Sequence, residues 1–166
     1  MAQQQTLEIL KSALLLEIRG NAFYAKAAQS AQHDAVKDFF KMMADEEKQH
    51  IDMLTAQYKA VQENGAFMPP DVDNMPPDVT DAVLTADLKE RIQAAGFEAA
   101  AISAAMGMEK EAVRLYSKRA EEATDPQEKA LYKWLSQWES RHLAFLTKMD
   151  RDLTESIWND NSFWPF

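Results

Sequence analysis

The sequence predicts an all-α fold, a four-helix bundle made of two repeated helical hairpins joined by a long crossover linker. Three observations predict it. Apolar residues recur at helical spacing over four long stretches, only four Gly and six Pro occur in 166 residues, and the second half repeats the first. So little turn material disfavours a many-stranded β fold. The 18.9 kDa chain is 46 % apolar and 10 % aromatic, enough for one domain with a real core and too apolar for disorder.

The first helix is expected from about Thr6 to Ser30, with Leu7, Leu10, Leu14 and Glu17 at helical spacing, then Asn21, Tyr24 and Ala28. Gln32-His33-Asp34 interrupts it, and Asp34 is expected to cap the second helix. That helix carries Val36, Phe40, Met43, Glu47, His50 and Leu54 on one face, in steps of 4, 3, 4, 3 and 4. Asn64-Gly65 is a good stop, so the first hairpin spans about 6–64. Residues 65–96 form the linker. Two Pro-Pro pairs keep Ala66–Thr80 from being helical throughout, and a short helix is expected near Asp81–Ala95, with a break at Gly96. The second hairpin spans about 97–157. Its first helix runs from about Phe97 to Ala123, with small residues over Ala99–Ala105 that allow close helix approach. Its second starts at Asp125-Pro126-Gln127-Glu128, with Asp125 as N-cap, Pro126 at the first helical position and Glu128 third. The bundle thus covers 1–158. Residues 159–166 form a tail whose Phe163-Trp164-Pro165-Phe166 is expected to dock on the bundle or on a second subunit.

The repeat has an offset of 92 and needs no gap across two helices. Glu17 maps onto Glu109, Tyr24 onto Tyr116, Glu47 onto Glu139, His50 onto His142 and Leu54 onto Leu146. Ala-rich amphipathic hairpins match by composition at Ala and Lys positions. The polar matches need another cause.

Charge and Cys content narrow the function. A balance of 18 basic against 27 acidic side chains argues against nucleic acid and anionic membrane as partners. No apolar run is long enough to span a membrane. Met1-Ala2-Gln3-Gln4-Gln5 lacks a basic segment ahead of an apolar one, so a cytoplasmic location is expected. With no Cys, disulfides, thiolate zinc sites and thiolate-held iron–sulfur clusters are excluded.

Four Glu and two His interrupt the apolar stripes: Glu17, Glu47, His50, Glu109, Glu139 and His142. An unpaired charge in a low-dielectric core costs several kcal/mol or more, so something must compensate them. Their heights agree. With the hairpin turns near residues 32 and 124, all four Glu lie 15 residues from a turn, roughly 22 Å along the helices at the standard rise per residue. Glu and His three apart share a helix face, so one ion can take both. Four carboxylates balance two divalent cations. One zinc would leave ligands over and calcium would not take the imidazoles, so iron is expected, with manganese second. Glu46, a rival to Glu47 four residues before His50, aligns with Trp138 in the repeat and is expected to be solvated.

This pattern resembles the ferritin-like di-iron and di-manganese bundles, in which two helices give one Glu each and two give Glu-x-x-His. It is most similar to rubrerythrin-type proteins without the rubredoxin domain, through Glu17, Glu47-Lys48-Gln49-His50, Glu109 and Glu139-Ser140-Arg141-His142. The resemblance implies that Glu47 and Glu139 bridge two irons, with Glu17 and His50, and Glu109 and His142, as terminal ligands. It also implies that Tyr24 and Tyr116 hydrogen-bond ligating carboxylates across the bundle; ordinary core packing is the alternative for both. Rubrerythrins usually carry another Glu three residues after the third-helix ligand, where this chain has Ala112. That departure puts the family's redox-linked ligand switch in doubt. The ligand set also resembles bacterioferritin, but Lys48 replaces the haem-binding Met, so no haem is expected. His33, at the turn, lacks a Glu partner and reads as a loop histidine. Trp134 and Trp138 adjoin the site, either in packing or on an electron path.

The resemblance implies an oxidoreductase that reacts with hydrogen peroxide or dioxygen, draws on an external electron donor or ferrous iron, and forms a homodimer. Iron storage and a purely structural metal are the alternatives.

Overall fold

The computed structural model describes residues 2–70, 88, 92 and 96–159. The expected short helix near 81–95 lies almost wholly outside the described residues, as does the tail beyond Asn159. Among the described residues there are four helices: α1 (Ala2–Ser30), α2 (Asp34–Asn64), α3 (Phe97–Glu122) and α4 (Pro126–Asn159). α1 pairs with α2 and α3 with α4 as two hairpins, and α1 also meets α3. The four-helix bundle of the sequence reading is the fold.

Helix ends follow their capping chemistry, with one correction. At α4, Asp125 Oδ1 accepts from the Gln127 and Glu128 backbone N–H groups at 2.7 and 3.2 Å. These are two of the donors that a helix start leaves without partners. Glu128 does not close a capping box; its carboxylate takes Arg119 Nη2 at 3.0 Å, tying α3 to α4 across their turn. Gly65 ends α2 in the left-handed region (φ 71°), its N–H donating to the Val61 carbonyl at 2.9 Å. Glycine adopts that conformation without steric cost. Asp34 is not the cap of α2. His33 holds that position in extended backbone without a side-chain hydrogen bond, and Asp34 is the first helical residue. There its charge still complements the positive end of the helix dipole. α1 begins at Ala2, earlier than the apolar stripe requires.

All six residues of the α2 stripe are buried. On α1 the buried line is Leu10, Ala13, Glu17, Gly20 and Tyr24, with Leu14 only half-buried. Two apolar clusters result. One is built from Tyr24, Phe39, Phe40, Met43, Ile102, Phe145 and Leu146 among others. The other holds Leu10, Leu54, Tyr116, Leu131, Tyr132 and Leu135. Each fully buried large apolar side chain contributes roughly 1.5–3 kcal/mol. Glu17, Glu47, His50, Glu109, Glu139 and His142 are buried in the same bundle.

Candidate metal centre

Glu17 is 2 % exposed, Glu47 4 %, Glu109 3 %, Glu139 1 %, His50 1 % and His142 0 %. The structure brings all six together. α1 and α3 supply one Glu each; α2 and α4 each supply a Glu and, one turn later, a His. Two overlapping groups form: Glu17, Glu47, His50 and Glu139, and Glu47, Glu109, Glu139 and His142, with one ligand atom from each member within 4.8 Å of the others. Glu47 and Glu139 belong to both.

The two shared carboxylates face both ways. Glu139 turns Oε1 to His50 Nδ1 at 2.9 Å and Oε2 to His142 Nδ1 at 3.3 Å. Glu47 turns Oε2 to His50 Nδ1 at 3.8 Å and Oε1 to His142 Nδ1 at 4.0 Å. Glu17 Oε2 lies 3.1 Å from His50 Nδ1, and Glu109 Oε1 lies 3.9 Å from His142 Nδ1. Both imidazoles therefore aim Nδ1 at the acids. Both oxygens of Glu139 and Nδ1 of His142 are buried without a hydrogen-bond partner. Buried polar atoms are nearly always satisfied. Lone pairs that converge without partners, in a set of four carboxylates and two imidazoles, fit a pair of divalent cations.

The tyrosines cross between hairpins. The Tyr24 hydroxyl on α1 donates to Glu109 Oε1 on α3, and the Tyr116 hydroxyl on α3 donates to Glu17 Oε1 on α1. Partners of this kind fix a ligand's orientation.

Electrostatics follows from packing acids without water. Burial, and then the neighbouring Glu139, pushes the Glu47 and Glu109 carboxyls well above their ordinary range. Burial also opposes ionisation of Glu139, but the two imidazoles beside it overcome that and hold it well below the carboxylate range. Burial would lower both histidines; instead Glu139, Glu17 and Glu47 raise His50 strongly, and Glu139, Glu46 and Glu109 raise His142 to about 10. Burial and the adjacent acids keep both tyrosine hydroxyls protonated, as donors.

Two further residues belong here that the sequence reading missed or misplaced. Glu46 is not solvated: it is 5 % exposed, and its Oε2 lies 2.5 Å from His142 Nε2. The repeat was the wrong guide, because Glu46 reaches across to the other hairpin and its counterpart Trp138 does something different. A periodic signal was available, since Phe39, Met43, Glu46 and His50 step 4, 3 and 4 along α2. Gly20 is the second. A Cβ there would stand 3.2 Å from Glu47 Cδ, so the missing side chain leaves space for the carboxylate. Gly20 and Ala112, equivalent in the repeat, line a narrow cleft whose walls include Leu16, Met108, Glu47 and Glu139.

Trp134 and Trp138 pack with centroids 4.9 Å apart and their planes inclined by 38°, and each meets the His50 ring at right angles. His33 stays at the α1–α2 turn.

A four-helix bundle that buries four carboxylates and two imidazoles in its middle has the build of a ferritin-like carboxylate protein, and its cluster fits a metal site. The rubrerythrin family model matches residues 8–150. The chain belongs to the rubrerythrin family. No curated protein and no solved structure gives a significant match. No described helix is long and apolar enough to cross a membrane.

Proposed function

We propose that this chain is a non-haem di-iron oxidoreductase that reduces hydrogen peroxide or dioxygen, with manganese as the other metal the donor set can take. The observation that carries the reading is the division of Glu47 and Glu139, each with one oxygen toward each imidazole. Carboxylates so divided suit bridging ligands, with Glu17 and His50 on one side and Glu109 and His142 on the other. When bound, two ferrous ions supply the two electrons that, with two protons, reduce one hydrogen peroxide to two waters.

The chain's own residues set the conditions. Tyr24 and Tyr116 each donate a hydrogen bond from the opposite hairpin and so hold Glu109 and Glu17 in place. The apolar clusters of the bundle exclude bulk water, which strengthens each electrostatic contact within. The cleft beside Gly20 and Ala112 gives a small oxidant a way to Glu47 and Glu139. With no Cys in the chain, electrons come from an external donor or from ferrous iron itself. We read the active unit as a homodimer.

The test is anaerobic loading with ferrous iron followed by hydrogen peroxide, with iron oxidation followed by absorbance. The expected result is oxidation much faster than that of free ferrous iron, and loss of the advantage in Glu139→Ala. Oxidation no faster than free iron contradicts the reading. Size-exclusion chromatography separates storage from catalysis: a dimer is expected, whereas a large shell would favour storage.

A further inference from the structure

The two imidazoles have different surroundings on the side away from the acids. His142 Nε2 lies 2.5 Å from Oε2 of the buried Glu46. His50 Nε2 is buried with no hydrogen-bond partner. Its ring meets Trp134 and Trp138 at right angles, with centroids 5.6 and 5.8 Å away. The cause is a single mismatch in the repeat: where one hairpin has Glu46, the other has Trp138.

We propose that Glu46 makes the two cation positions unequal, the one built on Glu109 and His142 being the tighter. The proposal rests on the metal reading above and goes beyond it. A histidine that donates its remote N–H to a carboxylate is fixed in tautomer and ring orientation and becomes a more basic ligand; losing such a partner typically costs ten- to a hundredfold in metal affinity. His142 has this arrangement, with Nδ1 toward the cluster and Nε2 toward Glu46. His50 presents the same Nδ1 without the partner behind it. The Trp138 indole N–H also approaches His142 Nε2, at 3.0 Å. An indole N–H donates to a bare Nε2, and a neutral imidazole would then carry its proton on Nδ1, where it cannot ligate. Glu46 and Trp138 thus favour opposite tautomers of His142, and Glu46, at the shorter distance, selects the ligating one. Glu46 is a positioning residue: it acts only through His142.

The experiment is equilibrium titration of the full-length, metal-stripped protein with cobalt(II), followed by visible absorption and calorimetry. The wild-type chain is expected to take two ions in two resolved steps. Glu46→Gln is expected to weaken the tighter step ten- to a hundredfold while leaving the other in place, so that the steps merge. Glu46→Asp keeps the charge on a shorter arm and should fall between. In ¹⁵N-histidine-labelled protein, the hydrogen-bonded Nε2 proton of His142 should move upfield in Glu46→Gln, a change that loss of packing alone would not confine to one ring. Trp138→Glu supplies the missing carboxylate to the other hairpin, should tighten the weaker step, and decides the matter if Glu46→Gln does not fold. Two indistinguishable steps in the wild type, or a Glu46→Gln chain whose steps both move equally or not at all, overturn the inequality and leave the metal reading standing. No cobalt uptake by the wild type overturns both.

Discussion

The two hairpins match in their buried acids, imidazoles and tyrosines and differ in what stands behind and beside them. Glu17 and Glu109, Glu47 and Glu139, and His50 and His142 occupy equivalent positions in the two overlapping groups, and Tyr24 and Tyr116 make matching hydrogen bonds across the hairpins. Glu46 and Trp138, and Gly20 and Ala112, do not: one pair sets what lies behind each imidazole, the other how close a helix comes to the central acids. A duplicated hairpin can supply a symmetric donor set, and departures from the repeat then give each half its own properties.

The largest test of the comparison separates shared from private ligands. Glu139→Ala should reduce metal uptake to well below one ion per chain, because both groups use Glu139. Glu17→Ala should remove only the His50-side ion. Elemental analysis after loading distinguishes the two; equal losses would mean that Glu139 is not shared.

The pH dependence of the metal-stripped chain comes next. Both imidazoles are raised above their unfolded value of 6.5, so the stability they contribute is complete below that pH and is lost as pH rises through the folded value, about 10 for His142. The raised carboxyls of Glu47 and Glu109 act in the same direction. Glu139, lowered, contributes above its ordinary pKa and loses that only in strong acid. The Tm of stripped protein should therefore fall between pH 6.5 and 10, whereas metal affinity should rise because ligands must shed protons to bind. A stripped-chain Tm that climbs over this window contradicts the proton assignment.

Mirror-image effects are expected from the tyrosines. Tyr24→Phe and Tyr116→Phe each remove a buried donor to a carboxylate, costing on the order of 1–3 kcal/mol in chemical denaturation. Each should weaken the ion on the side of its own acceptor, the His142 side for Tyr24 and the His50 side for Tyr116. The smallest effect is at the helix approach. Gly20→Ala should gain up to about 1 kcal/mol of helix propensity but displace Glu47, weakening both cobalt(II) steps a few-fold. Ala112→Gly should lose about as much stability and leave binding nearly unchanged.

Much of this was legible in the sequence. The α2 stripe, the Asp125 cap and the Gly65 stop each follow from local chemistry that the tertiary structure does not override. The six polar residues could be picked out because burying acids without compensation is so costly. The burial of Glu46 was legible in the steps of Phe39, Met43, Glu46 and His50, but the repeat pointed the other way, because its partner His142 lies on the opposite hairpin and its own counterpart is Trp138. The role of Gly20 was hidden: it concerns the space left for Glu47, not a group that Gly20 supplies.

Anaerobic equilibrium dialysis of ferrous iron against the metal-stripped chain and its Glu139→Ala variant measures whether the buried acids hold two ions through a shared Glu139. Two ions bound per wild-type chain, and well below one in the variant, are expected. A wild-type chain that retains no iron above the dialysis buffer, or a variant that still holds two, would contradict the shared two-ion site.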